Sequence, residues 1–288
     1  MGGDRSDLAA GWVDYRRGRL ADAHAICRDR IGRDPDDGRA WELLGLVFHD
    51  SGQFVEAADA LERASLLVPV RPEARIGLAT CYGKLRRRRL ATELFLELML
   101  RGELSPPLML QVAAGLDQVD EPRLSMEACR RVADADPGYA QVHYDMGYYA
   151  ARSGYPRHIT EALVCRAIDL EPGKMAFRVG LATLLIRWDR AAEAYEMIRG
   201  WTDEQWAEIT CGCCLRRLAE LCRAFGAADR ARRCLALAGD EADATHDRPD
   251  EPGCTPQDAR DVAPEGEGCR EDGHGAGVAR GSRRRAGR

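Results

Sequence analysis

Residues 38–71 read GRAWELLGLVFHDSGQFVEAADALERASLLVPVR, and the fold is decided by how this stretch is read. Trp41, Leu44, Gly45 and Phe48 recur at steps of three and four residues, so they share one face of a helix. Gly52 stops that helix where a left-handed turn residue is needed. Ala57, Leu61 and Ala64 mark the buried face of a second helix, and Pro69 ends the unit. The small Gly45 and Ala57 allow the two helices to approach closely. A single helix pair of this size cannot bury its apolar stripe alone, so it requires a similar neighbour.

The neighbours are present at a fixed step. Gly11, Gly18, Ala23 and Pro35 precede Gly45, Gly52, Ala57 and Pro69 by 34 residues, and Leu78, Ala79, Tyr82, Ala91 and Phe95 follow at the same interval. Weaker copies carry Val112, Ala113, Leu116, Cys129 and Pro137, then Met146, Gly147, Gly154, Ala167 and Pro172. The last two carry Leu181, Ala182, Leu185 and Ala194, then Leu218, Ala219, Cys222, Gly226 and Ala231. Asp120-Glu121-Pro122 stands where the fourth unit lacks its turn glycine, which predicts a bend or looser packing near residues 101–123. A longer connection, with Trp201 and Trp206 to fill it, separates the last two units.

The Trp41, Leu44, Gly45, Phe48, Ala57 and Pro69 pattern and its 34-residue recurrence resemble the tetratricopeptide (TPR) repeat. The resemblance implies an all-α, right-handed α-solenoid of stacked helix-turn-helix units over residues 4–241. The repeats fall at about 4–37, 38–71, 72–105, 106–139, 140–174, 175–211 and 212–241, followed by a disordered charged tail over 242–288. It also implies a concave groove, lined by the first helix of each unit, that holds a peptide or partner protein. Carried over position by position, the groove-facing residues are Trp12, Tyr15, Arg16, Glu42, His49, Lys84, Tyr144, Tyr148, Arg152 and Arg187. Aromatic rings supply contact area in such a groove and arginine a directional charge. Members that clamp a C-terminal carboxylate carry Lys, Asn and Arg at positions occupied here by Leu8, Trp12, Leu43, Glu73 and Gly77, and none of these fits.

Composition narrows the chemistry. The 288 residues carry a net charge of −5, of which residues 240–288 hold 12 acids and 8 bases, so the body is close to neutral. A neutral body argues against a broad nucleic-acid face, although Arg86–Arg89 and Arg283–Arg285 leave that alternative open. Only Lys84 and Lys174 are lysine among 42 basic residues, a skew read as the coding bias of a GC-rich bacterial genome. The tail has no aromatic residue and too little apolar surface to offset its chain entropy. No apolar leader follows Met1 and no run is long enough to span a bilayer, which predicts a cytoplasmic protein without a membrane partner.

Eleven cysteines, most of them in apolar helical patterns, read as small packed side chains in a reducing compartment. Cys211, Cys213 and Cys214 form the densest group, but their spacing lacks the two well-separated ligand pairs of a tetrahedral zinc site. A thiol or metal role for them stands as an alternative. No phosphate loop, zinc-protease motif or catalytic Ser, Cys and His order is present. The sequence therefore predicts a non-enzymatic protein-interaction scaffold with no cofactor, no metal and no catalytic residue.

Overall fold

The computed structural model describes residues 4–101 and 104–239, together with the side chains of residues 8–100 and 104–239. The sequence expectation for residues 242–288 lies outside them. The described residues form helices without a strand. The helices are α1 (Asp4–Arg16), α2 (Leu20–Arg33), α3 (Gly38–Asp50), α4 (Phe54–Leu67), α5 (Pro72–Lys84), α6 (Arg88–Arg101), α7 (Pro106–Gln118) and α8 (Pro122–Ala135). They continue with α9 (Ala140–Arg152), α10 (Arg157–Leu170), α11 (Met175–Arg187), α12 (Ala191–Ile198), the short α13 (Asp203–Ala207), α14 (Gly212–Ala224) and α15 (Ala228–Ala238). Each odd helix up to α11 packs on the even helix after it, α14 packs on α15, and the first helices also touch in series, α1 on α3, α3 on α5 and α5 on α7. The result is an all-α solenoid of helix pairs.

Every reversal between paired helices uses one residue in the left-handed region. Gly18, Gly52, Gly154 and Gly226 take φ of 72–79°, and Arg86, Asp120 and Asp189 do the same work at 62–67°. The hydrogen bonds match: Gln53 N–H donates to Phe48 O and Glu121 N–H donates to Leu116 O, both at 2.9 Å. Asp120 therefore replaces the missing glycine without opening the turn, because a short polar side chain tolerates this conformation. The looser packing expected near residues 101–123 is not seen in the described residues. Phe95, Leu110 and Leu116 are fully buried in one cluster with Val142 and Tyr149. Gly115 makes this possible, since a Cβ there would stand 2.1 Å from the Phe95 ring.

The same need for small residues holds within pairs. A Cβ on Gly45 would meet Leu61 at 2.5 Å, and one on Gly147 would meet Val164 at 2.7 Å. Between α12 and α14, Thr202 and Gln205 form a reciprocal cap on α13, and Trp201 and Trp206 are buried with ring centroids 5.2 Å apart.

Polar anchors fix where helices begin. Asp37 caps α3 by accepting from the N–H of Arg39 and Ala40, each at 3.1 Å, and from Arg30 Nε at 2.6 Å. Burial opposes its charge, but these bonds outweigh burial and hold its carboxyl below the usual range. Glu42 was expected on the groove surface, and the structure corrects this: it is fully buried. Its carboxylate accepts from the backbone N–H of Arg71 and from the Arg39 guanidinium, both at 2.7 Å, and so fixes the start of α5.

This packing sets the expected effect of four substitutions. Arg86→Gly should raise stability by about 1 kcal/mol, since the side chain disfavours the left-handed turn, and Gly52→Ala should lower it by a similar amount, read from urea midpoints. Glu42→Ala should cost about 1–3 kcal/mol by orphaning the Arg71 N–H, with loss of thermal stability as the measure. Asp37→Ala should cost about 1 kcal/mol at neutral pH. Because the folded carboxyl titrates lower than the unfolded one, that contribution is complete above about pH 3.9 and is lost as the pH falls through the folded value. Acid titration of wild type against variant should show the gap closing.

Candidate protein-binding cleft

The first helices of four successive units enclose an open cleft of about 530 Å³. α3 contributes Leu46, His49 and Asp50, and α5 contributes Glu73, Ile76, Gly77 and Thr80. These sit at i, i+3, i+4 and i+7 steps, so each helix turns a single stripe to the opening. Tyr15 closes one end from α1, and Gln111 and Gln118, seven residues apart on α7, line the other.

The acidic end is an organised network. His49 Nδ1 lies 2.8 Å from Asp50 Oδ1, and the Tyr15 hydroxyl donates to the same carboxylate. Burial acts to raise the Asp50 carboxyl, yet the hydrogen bonds from His49 and Tyr15 prevail and keep it below its ordinary range. The Tyr15 hydroxyl is pushed up, first by burial and then by its bond to Asp50. Asp50 is thus a fixed negative charge at neutral pH, with Glu73 as a second acid in the same cleft.

The floor is apolar and partly bare. At Gly77 an added Cβ would meet Leu46, Leu61 and His49 only at 3.6–3.9 Å, which is ordinary contact. This glycine is not required by helix packing, unlike Gly45 or Gly147, and it leaves open space in the cleft.

Of the residues expected in the groove, Tyr15 and His49 line this cleft, and Trp12 stands beside them, edge-on to Tyr15 at 5.9 Å and covered by the Arg71 guanidinium at 3.7 Å. Arg16 is exposed on α1, and Lys84 is exposed with its ammonium 6.0 Å from the Phe54 ring. Arg152 is half-buried on α9 and pairs with Asp117 at 3.2 Å and Asp120 at 3.4 Å, while Arg187 is exposed on α11. None of these four lines the cleft.

Tyr144 and Tyr148 require correction, since they are 5% and 6% exposed rather than open to a partner. Tyr144 stacks on Phe177 at 4.9 Å and occupies the space over Gly180, and Tyr148 packs edge-on to Tyr149. The Tyr144 ring is covered by the unit that follows it, and the Tyr148 ring lies in the cluster built by the units that precede it. Within the Arg86–Arg89 run, Arg87 faces Glu62, Arg88 faces Asp120 and Arg89 pairs with Glu93. Sequence reasoning does not place Leu46, Asp50, Ile76, Thr80, Gln111 or Gln118 in the groove and weighs Glu73 and Gly77 only as clamp positions; the signal is one stripe per first helix, with Asp50 beside His49 on α3 and Glu73, Ile76, Gly77 and Thr80 together on α5.

The cysteine cluster also differs from its reading as separately packed thiols. Cys211 is the N-cap of α14, and its sulfur accepts from the Cys214 N–H at 3.4 Å. Folding back in this way brings the sulfurs of Cys211, Cys213 and Cys214 within 4.8 Å of one another. A search by ligand spacing does not register three thiols gathered by a helix cap.

Among the described residues no helix is long and apolar enough to cross a membrane. No protein-family model matches the chain, and no curated protein matches it in sequence. Solved structures do. A tetratricopeptide repeat protein from Parabacteroides merdae ATCC 43184 aligns with a TM-score of 0.64 at 12% identity, covering 91% of this chain and 98% of that one. MamA from Desulfovibrio magneticus RS-1 aligns with a TM-score of 0.52 at 14% identity, covering 60% of this chain and 98% of that one. Together with the helix pairs, their left-handed turns and their close-packed small residues, this likeness establishes the tetratricopeptide-repeat fold for the chain.

Proposed function

We propose that the protein is a non-enzymatic scaffold or adaptor that holds an extended segment of a partner protein in the cleft between α1, α3, α5 and α7. The observation that carries this reading is the cleft itself: an open channel across four units, apolar at its floor and acidic at Asp50 and Glu73. The matching ligand is an extended peptide that places an apolar side chain over Leu46 and Ile76 and an arginine or lysine against the acids. Because Asp50 is already held ionised by Tyr15 and His49, little reorganisation on the receptor side opposes binding. The paired arginines at the α5–α6 turn favour protein over nucleic acid as the partner.

Gly77 offers a clean test. A leucine there fills the cleft while its Cβ makes only ordinary contacts with the fold. Panning a library of random peptides against the full-length protein should enrich sequences with a basic residue beside an apolar one. Gly77→Leu should abolish their binding, and Asp50→Asn should weaken it by about 1.5–3 kcal/mol, tenfold or more, with helicity unchanged by circular dichroism. Enriched peptides without basic residues, or full binding to Gly77→Leu, would refute the assignment.

A further inference from the structure

Away from the cleft, the three sulfurs gathered at the start of α14 have no part in the reading above. Cys211 and Cys213 are half-buried and Cys214 is buried, so the group is reachable from solvent on one side. The sulfurs of Cys211 and Cys213 stand 2.9 Å apart, and all three lie within 4.8 Å of one another. A metal–thiolate bond of about 2.3 Å places the sulfurs of a trigonal site about 4 Å apart, inside the 2.9–4.8 Å range over which these three sulfurs lie. Among the described residues no imidazole or carboxylate joins the group.

The surroundings suit concentrated negative charge. The Cys214 N–H already points at Cys211 sulfur, and the open end of a helix favours thiolate over thiol. The Arg216 guanidinium packs beside Gly212, the residue between two of the ligands, with its nitrogens 3.5 and 3.8 Å from the position of a Cβ there. On the same face of Gly212 the Ala238 carbonyl is 3.2 Å from that position, so the ligand turn is braced against the end of α15.

We propose that Cys211, Cys213 and Cys214 form a three-thiolate site for a soft monovalent cation, Cu(I). Thiolate ligands select soft ions, and three sulfurs complete the shell of Cu(I), whereas Zn(II) at a structural site takes four protein ligands. Binding involves no change of oxidation state. Three thiols release three protons to solvent and three Cu–S bonds form, leaving a net charge of −2 that Arg216 and the α14 terminus partly offset.

The test is an anaerobic titration of reduced, full-length protein with Cu(I) held in a competing chelator. Alongside it runs the double variant Cys211→Ser, Cys213→Ser. Serine is a favourable N-cap, so α14 keeps its start in the variant, which circular dichroism verifies. Wild type should withdraw one more equivalent of Cu(I) than the variant and show a near-ultraviolet thiolate-to-Cu(I) band that the variant lacks. Cys211→Ser alone, which preserves the cap and removes one sulfur, should lower the affinity at least tenfold. Equal uptake by wild type and double variant, or displacement of Cu(I) from wild type by excess Zn(II), overturns the proposal.

Discussion

The chain reverses direction between paired helices through a single residue held at positive φ, and the rest of the architecture depends on that constraint being met each time. A left-handed residue ends one helix and aims the next back along it, so the apolar stripes of the two meet. Where glycine occupies the position the conformation costs little. Where Arg86, Asp120 and Asp189 occupy it, the strain is offset by tertiary packing, because the buried faces of the flanking helices are fixed by residues such as Ala79, Ala91 and Phe95. The turn is thus imposed by its flanks as much as by its own residue.

This explains which features were legible. The helix pairs, the close approaches at Gly45 and Gly147, and the buried role of Trp201 and Trp206 follow from periodicity and size, which are local properties of the chain. The conformation of Asp120 does not, because it is dictated by register from helices on both sides. The groove was legible only in part for a related reason. Position on a first helix gives the direction of a side chain, but the next unit decides whether it reaches solvent. At Tyr144 the neighbour supplies Phe177 and the bare backbone of Gly180, and the ring is covered. At Gly77 the neighbours stop short, and space remains.

The cleft and the thiol cluster share a physical device. In each, hydrogen bonds inside the protein fix the direction of a group before any ligand arrives. Tyr15 and His49 do this for Asp50, and the first turn of α14 does it for Cys211. Neither arrangement has a linear motif, since each joins residues by the geometry of a helix end or by the meeting of two helices.

Arg71 has a wider consequence. Its backbone is tied to Glu42 in α3, its guanidinium covers Trp12 in α1, and it is itself the N-cap of α5. In a repeat array stability ordinarily propagates from each unit to the next one only. This residue adds a contact from the start of the third helix pair back to α1 of the first, beyond the links between adjacent pairs. The side of the Trp12 ring at the Tyr15 end of the cleft is thus held by a residue that also starts α5, so the wall of the cleft and the first turn of its next helix share one anchor.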